Sequence, residues 1–134
     1  MATTIEEALY SRLKTDTPIT ALVSNRIYPN ILPQNVAYPA ISYMRVTGPR
    51  IHSHSGSSGL AHPLFQVDQW ATTYSGVKDL AEKVRLRLQG FSGTVVTVVI
   101  NGILFVGDRD SYDDEVEVFR VISEYRVWHA EARP

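Results

Sequence analysis

The chain has 134 residues, with 13 basic and 14 acidic side chains and a formal net charge of -1. That length suits one ordinary domain, and the balanced charge offers no bulk attraction for nucleic acid or an anionic membrane. The absence of cysteine excludes disulfides, thiolate nucleophiles and cysteine-ligated zinc. No apolar run is long enough for a membrane-spanning helix.

Fifteen valines against ten leucines tilt the expectation toward strands. The opening MATTIEEALYSRL lacks the basic region and apolar core of a secretory signal. Instead it predicts a helix from about Thr4 to Lys14. Thr3 or Thr4 caps it, Glu6 or Glu7 closes a capping box, and Ile5, Ala8, Leu9 and Leu13 form the apolar stripe. Thr17-Pro18 reads as a second, single-turn helical start with Ala21-Leu22 turned inward. Arg26 to Tyr28 is a short strand stopped by Pro29, and Asn30 to Tyr38, broken by Pro33, is an extended crossing.

Ala40 to Thr47 and Leu64 to Trp70 alternate as strands. Between them, Gly48 to Gly59 is rich in glycine and serine and reads as a mobile loop (48–60 in the domain sense), making the two strands a hairpin. Tyr74 to Gln89 is the most regular segment. Val77, Leu80, Ala81, Val84 and Leu88 fall on one helical stripe, and Gly90 stops it. Asn101-Gly102 is a strong hairpin signal, with arms Thr94 to Ile100 and Ile103 to Val106. Gly107 to Asp114 reads as a charged break or irregular extension. The last strand runs from Val116 to about His129, with Phe119, Val121, Tyr125 and Val127 on one face. Val118, Ile122 and Trp128 share the other with Arg120, Glu124 and Arg126. The expected fold is α+β, a mostly antiparallel sheet of four to five strands with two main helices packed on one face.

Catalytic signatures are missing: there is no GxSxG elbow, no HExxH and no phosphate-cradling glycine loop. His52, His54 and His62 sit in or beside the Gly/Ser loop with no acidic pattern nearby, which favours solvated histidines over a metal site. Asp108, Asp110, Asp113, Asp114, Glu115 and Glu117 crowd ten residues, but an EF-hand loop starting at Asp108 would place Asp113 at its required glycine and Phe119 at its required glutamate. The acids therefore read as a solvated turn or an acidic docking patch. Lys78, Lys83, Arg85 and Arg87 flank the second main helix, either as a solvated face or as a contact for acids on a neighbouring subunit. No cofactor is expected.

Taken together, IEEALYSRLKTDTPITALVSNRIYPNILPQ, YPAISYMRVTG, FQVDQWATTYSGVKDLAEKVRLRL and EVFRVISEYRVWH resemble the DUF3168 family. Its members are tail completion, or tail terminator, proteins of long-tailed phages and phage-derived particles. The resemblance runs from Ile5 to His129, with Arg26-Ile27-Tyr28-Pro29, Tyr38-Pro39-Ala40, Gln66 to Trp70 and Tyr125 to Trp128 its most specific parts. It implies a non-enzymatic ring, usually of six subunits, at the head-proximal end of the tail tube. Self, the tail tube protein and the head connector protein would be the partners. No membrane or sequence-specific nucleic acid contact is implied, with DNA passing through the ring. Its place would be the head-tail junction of the virion, and the host cytoplasm during assembly.

Ring closure needs one patch to bind a different patch on the next copy. The expected interface therefore joins Lys78, Lys83, Arg85 and Arg87 to Asp108, Asp110, Asp113, Asp114 and Glu115, around Val118, Ile122 and Trp128, with Arg50, Ile51, His52 and His54 as a docking loop. The rival readings are a small ligand-binding module, which needs a concave pocket, and a small enzyme. A loop this poor in apolar area cannot offset an ordering cost of roughly 1–2 kcal/mol per residue. Limited trypsin digestion of the free protein should cut first near Arg50, and resistance there would contradict a mobile loop.

Overall fold

The computed structural model describes residues 4–47, 50–53 and 56–130. Helix α1 (Ile5–Lys14) begins at a capping box: the Thr4 hydroxyl accepts from the Glu7 amide at 3.2 Å, and the Glu7 carboxylate accepts from the Thr4 amide at 3.2 Å. Helix α2 (Thr17–Val23) has Pro18 in its first turn. It is longer than the single expected turn, and it buries Ile19 and Val23 rather than Ala21, which is exposed. The i, i+4 spacing of Ile19 and Val23 decides which face turns inward.

Eight strands follow among the described residues: β1 (Ile27–Pro29), β2 (Ala40–Thr47), β3 (Arg50–Ser53), β4 (Gly56–Ala61), β5 (Leu64–Ala71), β6 (Gly93–Val95), β7 (Val98–Asp113) and β8 (Val118–Ala130). Helix α3 (Tyr74–Leu88) lies between β5 and β6. β2 pairs with β5 and β3 with β4, so the strands occupy six positions: β1, β2/β3, β5/β4, β8, β7, β6. Only β1 and β2 run parallel; every other neighbour is antiparallel.

This architecture corrects the expected one. The fold is α+β, but the sheet is a curled, six-position half-barrel with three helices, not a four- to five-stranded sheet with two. Three local readings account for the difference. The Gly/Ser segment carries β3 and β4, because strand pairing uses backbone groups and does not require apolar side chains; Gly48, Pro49, His54 and Ser55 lie outside the described residues. Asn101-Gly102 is not a turn. The chain reverses at Val96-Thr97, between Val95 and its partner Val98, and Asn101-Gly102 lies within β7 at a register shift. Of the two readings of Gly107 to Asp114, the irregular strand extension is the one found: β7 continues to Asp113, opposite Val118, with a register shift between Phe105 and Gly107. In both cases β8 pairs along the whole length, and tertiary pairing overrides local turn preference.

The helices share one core with one face of the sheet. Leu9 and Leu13 of α1, Ile19 and Val23 of α2, and Leu80, Val84 and Leu88 of α3 pack with Ile41, Phe65, Val67, Ile103, Tyr125 and Val127. A smaller cluster joins Val77 and Ala81 to Ala71 and Val121. Two arginines lock the helix layer. Arg12 donates to the Arg87 carbonyl at 3.1 Å, and Arg87 returns a bond to the Arg12 carbonyl at 2.8 Å.

Leu80 has no exposed surface. Leu80→Ala is expected to destabilise the protein by roughly 2–5 kcal/mol in chemical denaturation, through lost burial plus a cavity; a change below about 0.5 kcal/mol would place the residue outside the core.

Tyr125 is buried, and its hydroxyl has no hydrogen-bond partner among the described residues. Burial pushes that hydroxyl far above its ordinary value of 10.0. The folded state therefore keeps a proton that the unfolded state releases, so this contribution is full below pH 10.0 and is lost as pH rises above it. Tyr125→Phe is expected to raise stability by about 1 kcal/mol near neutral pH and to flatten the alkaline decline. Paired denaturation series at pH 7 and above pH 10.0 test both effects, and an unchanged alkaline slope would refute the second.

Candidate functional site

The alternation of β8 sends Tyr125 and Val127 to the helices and its even-numbered residues to the opposite face. On that face Val118 is buried and Ile122 is 6% exposed, so both are already covered within the chain. Trp128 is half-buried and stacks on His62, with ring centroids 6.4 Å apart, while Arg126 donates to the His62 carbonyl at 2.9 Å.

Farther along the same face lies a polar cluster. Asp68, only 5% exposed, pairs with Arg120 and accepts from the Gln66 amide nitrogen at 3.0 and 3.2 Å. The Arg120 guanidinium lies over the Trp70 ring at 4.6 Å, and the Trp70 indole N–H donates to the Ser42 hydroxyl at 3.2 Å. One donor is left over: Arg120 Nε is buried and has no acceptor among the described residues. An unmet buried donor costs about 1–3 kcal/mol, more when it belongs to a charged group.

Ser42, Asp68, Trp70 and Arg120 floor a cavity of about 790 Å³. The Asn30–Val36 segment walls one side and Asp113 and Val116 the other, with Met44 also on its lining. Ile31 is 80% exposed, an unusual position for isoleucine. Polar floor and apolar walls suit the binding of an extended segment or ligand. Nothing in the set pairs a nucleophile with a base.

Several of the charged residues singled out in the sequence pair within the chain. Lys78 reaches Asp110 at 3.1 Å, and the Tyr74 hydroxyl donates to Asp110 at 2.7 Å. The Tyr74 hydrogen bond, then Lys78, holds the Asp110 carboxyl below its ordinary range. Basic flank and acidic strand thus meet inside one chain at this point. Lys83 pairs with Asp79 at 2.7 Å, Arg85 with Glu82, and Arg87 serves the α1 clamp with Asp16 at 3.8 Å. Exposed pairs of this kind are worth little individually.

Asp108 lies on β7 and is exposed, as are Asp113 at the end of that strand and Asp114 and Glu115 in the turn. The turn is braced by the Glu115 amide donating to the Asp113 carboxylate at 3.0 Å. No group of three or more His, Asp or Glu residues suited to a metal occurs among the described residues. Arg50, Ile51 and His52 lie in β3; His54 lies outside the described residues.

The cavity itself escaped sequence reasoning. Its floor joins β2, β5 and β8, and its wall is the proline-broken segment read only as a crossing. A usable signal was present in Gln66, Asp68 and Trp70, polar or amphipathic residues alternating on one face of an otherwise apolar strand.

Comparison with known proteins adds three findings. The model of the family described as "Tail completion protein gp17" matches residues 7–130. No curated protein sequence matches the chain. Among solved structures, a chain from "Virion of native gene transfer agent (GTA) particle" superposes with a TM-score of 0.80 at 18% identity, over 94% of this chain and 94% of that one. At that identity the likeness shows the fold alone. Since the family match spans nearly every element from α1 to β8, the chain belongs to the tail completion protein gp17 family, and its part in the particle is structural rather than catalytic.

Proposed function

We infer that this protein assembles as a ring, of six copies, at the head-proximal end of a phage-type tail tube, where it ends tube polymerisation and presents a surface to the head connector. The observation that carries this reading is the family match over residues 7–130. The fold shared with a chain of a gene transfer agent particle supports it. A ring demands unlike patches at opposite ends of the subunit, and the chain is polar in that sense. The acidic turn from Asp114 to Glu117 lies at the Val118 end of β8, and the β3–β4 hairpin lies at the Ala130 end.

The interface of that ring would draw on the charged residues and the sheet face singled out in the sequence. Lys78, Lys83, Arg85 and Arg87 each have an acidic partner within the chain, and as surface pairs these remain open to exchange for acids on a neighbouring copy. Asp113, Asp114 and Glu115 remain candidates, as does the open sheet face with Trp128. Charges at an interface rim select orientation and rate more than they add affinity, and buried aromatics anchor it.

Asp113→Lys with Asp114→Lys is therefore expected to weaken docking while leaving the unfolding midpoint nearly unchanged. Electron microscopy of particles made with the gene disrupted tests the role itself. The expected result is tails that fail to join heads, or tubes of uncontrolled length; normal-length tails on full heads would overturn the reading.

A further inference from the structure

We propose that the cavity between the Asn30–Val36 segment and the β7–β8 turn is a socket for a second copy of this chain, entered by that copy's β3–β4 hairpin. The inference rests on the ring reading above and gives that ring a specific joint.

Position comes first. β8 spans Val118–Ala130, with the cavity beside its Val118 end. The hairpin departs at the other end, since among the described residues β4 meets β8 at Leu60 and Ala61, opposite Ala130 and His129. At about 3.3 Å per residue the two ends of β8 stand roughly 40 Å apart. No chain can fill its own cavity with its own hairpin. A neighbour can, and a plug at one end with a socket at the other is the head-to-tail arrangement that closes a ring.

Charge favours the same occupant. No aspartate or glutamate occurs between Asp16 and Asp68, a stretch that contains the whole hairpin and brings Arg50, His52, His54 and His62. The socket is marked by the opposite sign: Asp113 lines it, and Asp114, Glu115 and Glu117 follow in the same turn. Its one basic residue, Arg120, is already neutralised by Asp68. Opposite potentials of this kind fix register between partners.

The socket also has a use for extended backbone. Arg120 Nε is a buried donor without an acceptor among the described residues, and a strand supplies a carbonyl oxygen at every residue. Ile31, Met44 and Val116 offer exposed apolar walls for a segment to cover.

The absence of cysteine makes a clean test possible. Ser53→Cys and Val116→Cys are made separately, mixed and assembled under mild oxidation, both as purified protein and within particles; Gln34→Cys, exposed on the other wall, replaces Val116→Cys if that variant folds poorly. A disulfide between the two variants is expected, and a covalent ladder up to ring size when one chain carries both substitutions. The control pair Lys14→Cys with Val116→Cys gives no ladder, because Lys14 belongs neither to the socket lining nor to the hairpin.

Rings of normal mass without the Ser53–Val116 link would overturn the socket and leave the ring standing. A link from Val116→Cys to a different tail protein would overturn the second copy as occupant. Failure to form any oligomer, in solution or in particles, would overturn both.

Discussion

Every part of this fold depends on β8 being paired along both edges. Its Phe119 to Arg126 stretch takes β5 on one side, and nearly its full length takes β7 on the other. An interior strand must satisfy its backbone on two sides and its side chains on two faces at once. β8 does so by a strict division. Val121, Tyr125 and Val127 are given to the helices, while Arg120 and Ile122 face the opposite side. The core and the cavity are thus two faces of one strand, and a shift of one residue in its register would exchange them.

The charged residues follow a related economy. The guanidinium groups of Arg12 and Arg87 fasten helix termini by reaching carbonyls that the last turns leave without partners. Lys78 ties α3 to β7 through Asp110. At the β7–β8 turn Asp113, Asp114, Glu115 and Glu117 all face solvent. The geometry shows which charges pair inside the fold in a way that residue type alone does not.

Much of the helical framework was legible because it is written in local spacing. The Thr4–Glu7 capping box and the Val77, Leu80, Ala81, Val84, Leu88 stripe need only neighbours a turn away. Ile19 and Val23 carried the same i, i+4 signal but were masked by the short run around Ala21-Leu22. Strand readings failed where the decisive partner is distant. Asn101-Gly102 has turn chemistry, yet Gly102 pairs with Trp128; Gly/Ser composition suggested a loop where backbone pairing makes a hairpin. The site was less legible for the same reason. Acidic and basic clusters were visible, but the Lys78–Asp110 contact spans 32 residues and the Asp68–Arg120 contact 52. No periodicity reports such distances.

The unequal burial of these ion pairs makes the molecule respond to salt in two different ways. Mobile ions screen charges that they can approach, over about 8–10 Å at physiological strength, and barely reach a pair held out of water. Asp68 is 5% exposed where it meets Arg120, whose side chain is 31% exposed, so that bond is screened less than a pair on the open surface. The carboxylates of the β7–β8 turn have no such shelter. Ionic strength therefore acts on association more than on the fold: a crowded, salt-rich cell and a dilute medium meet the same subunit but differ in how readily its acidic end attracts a partner.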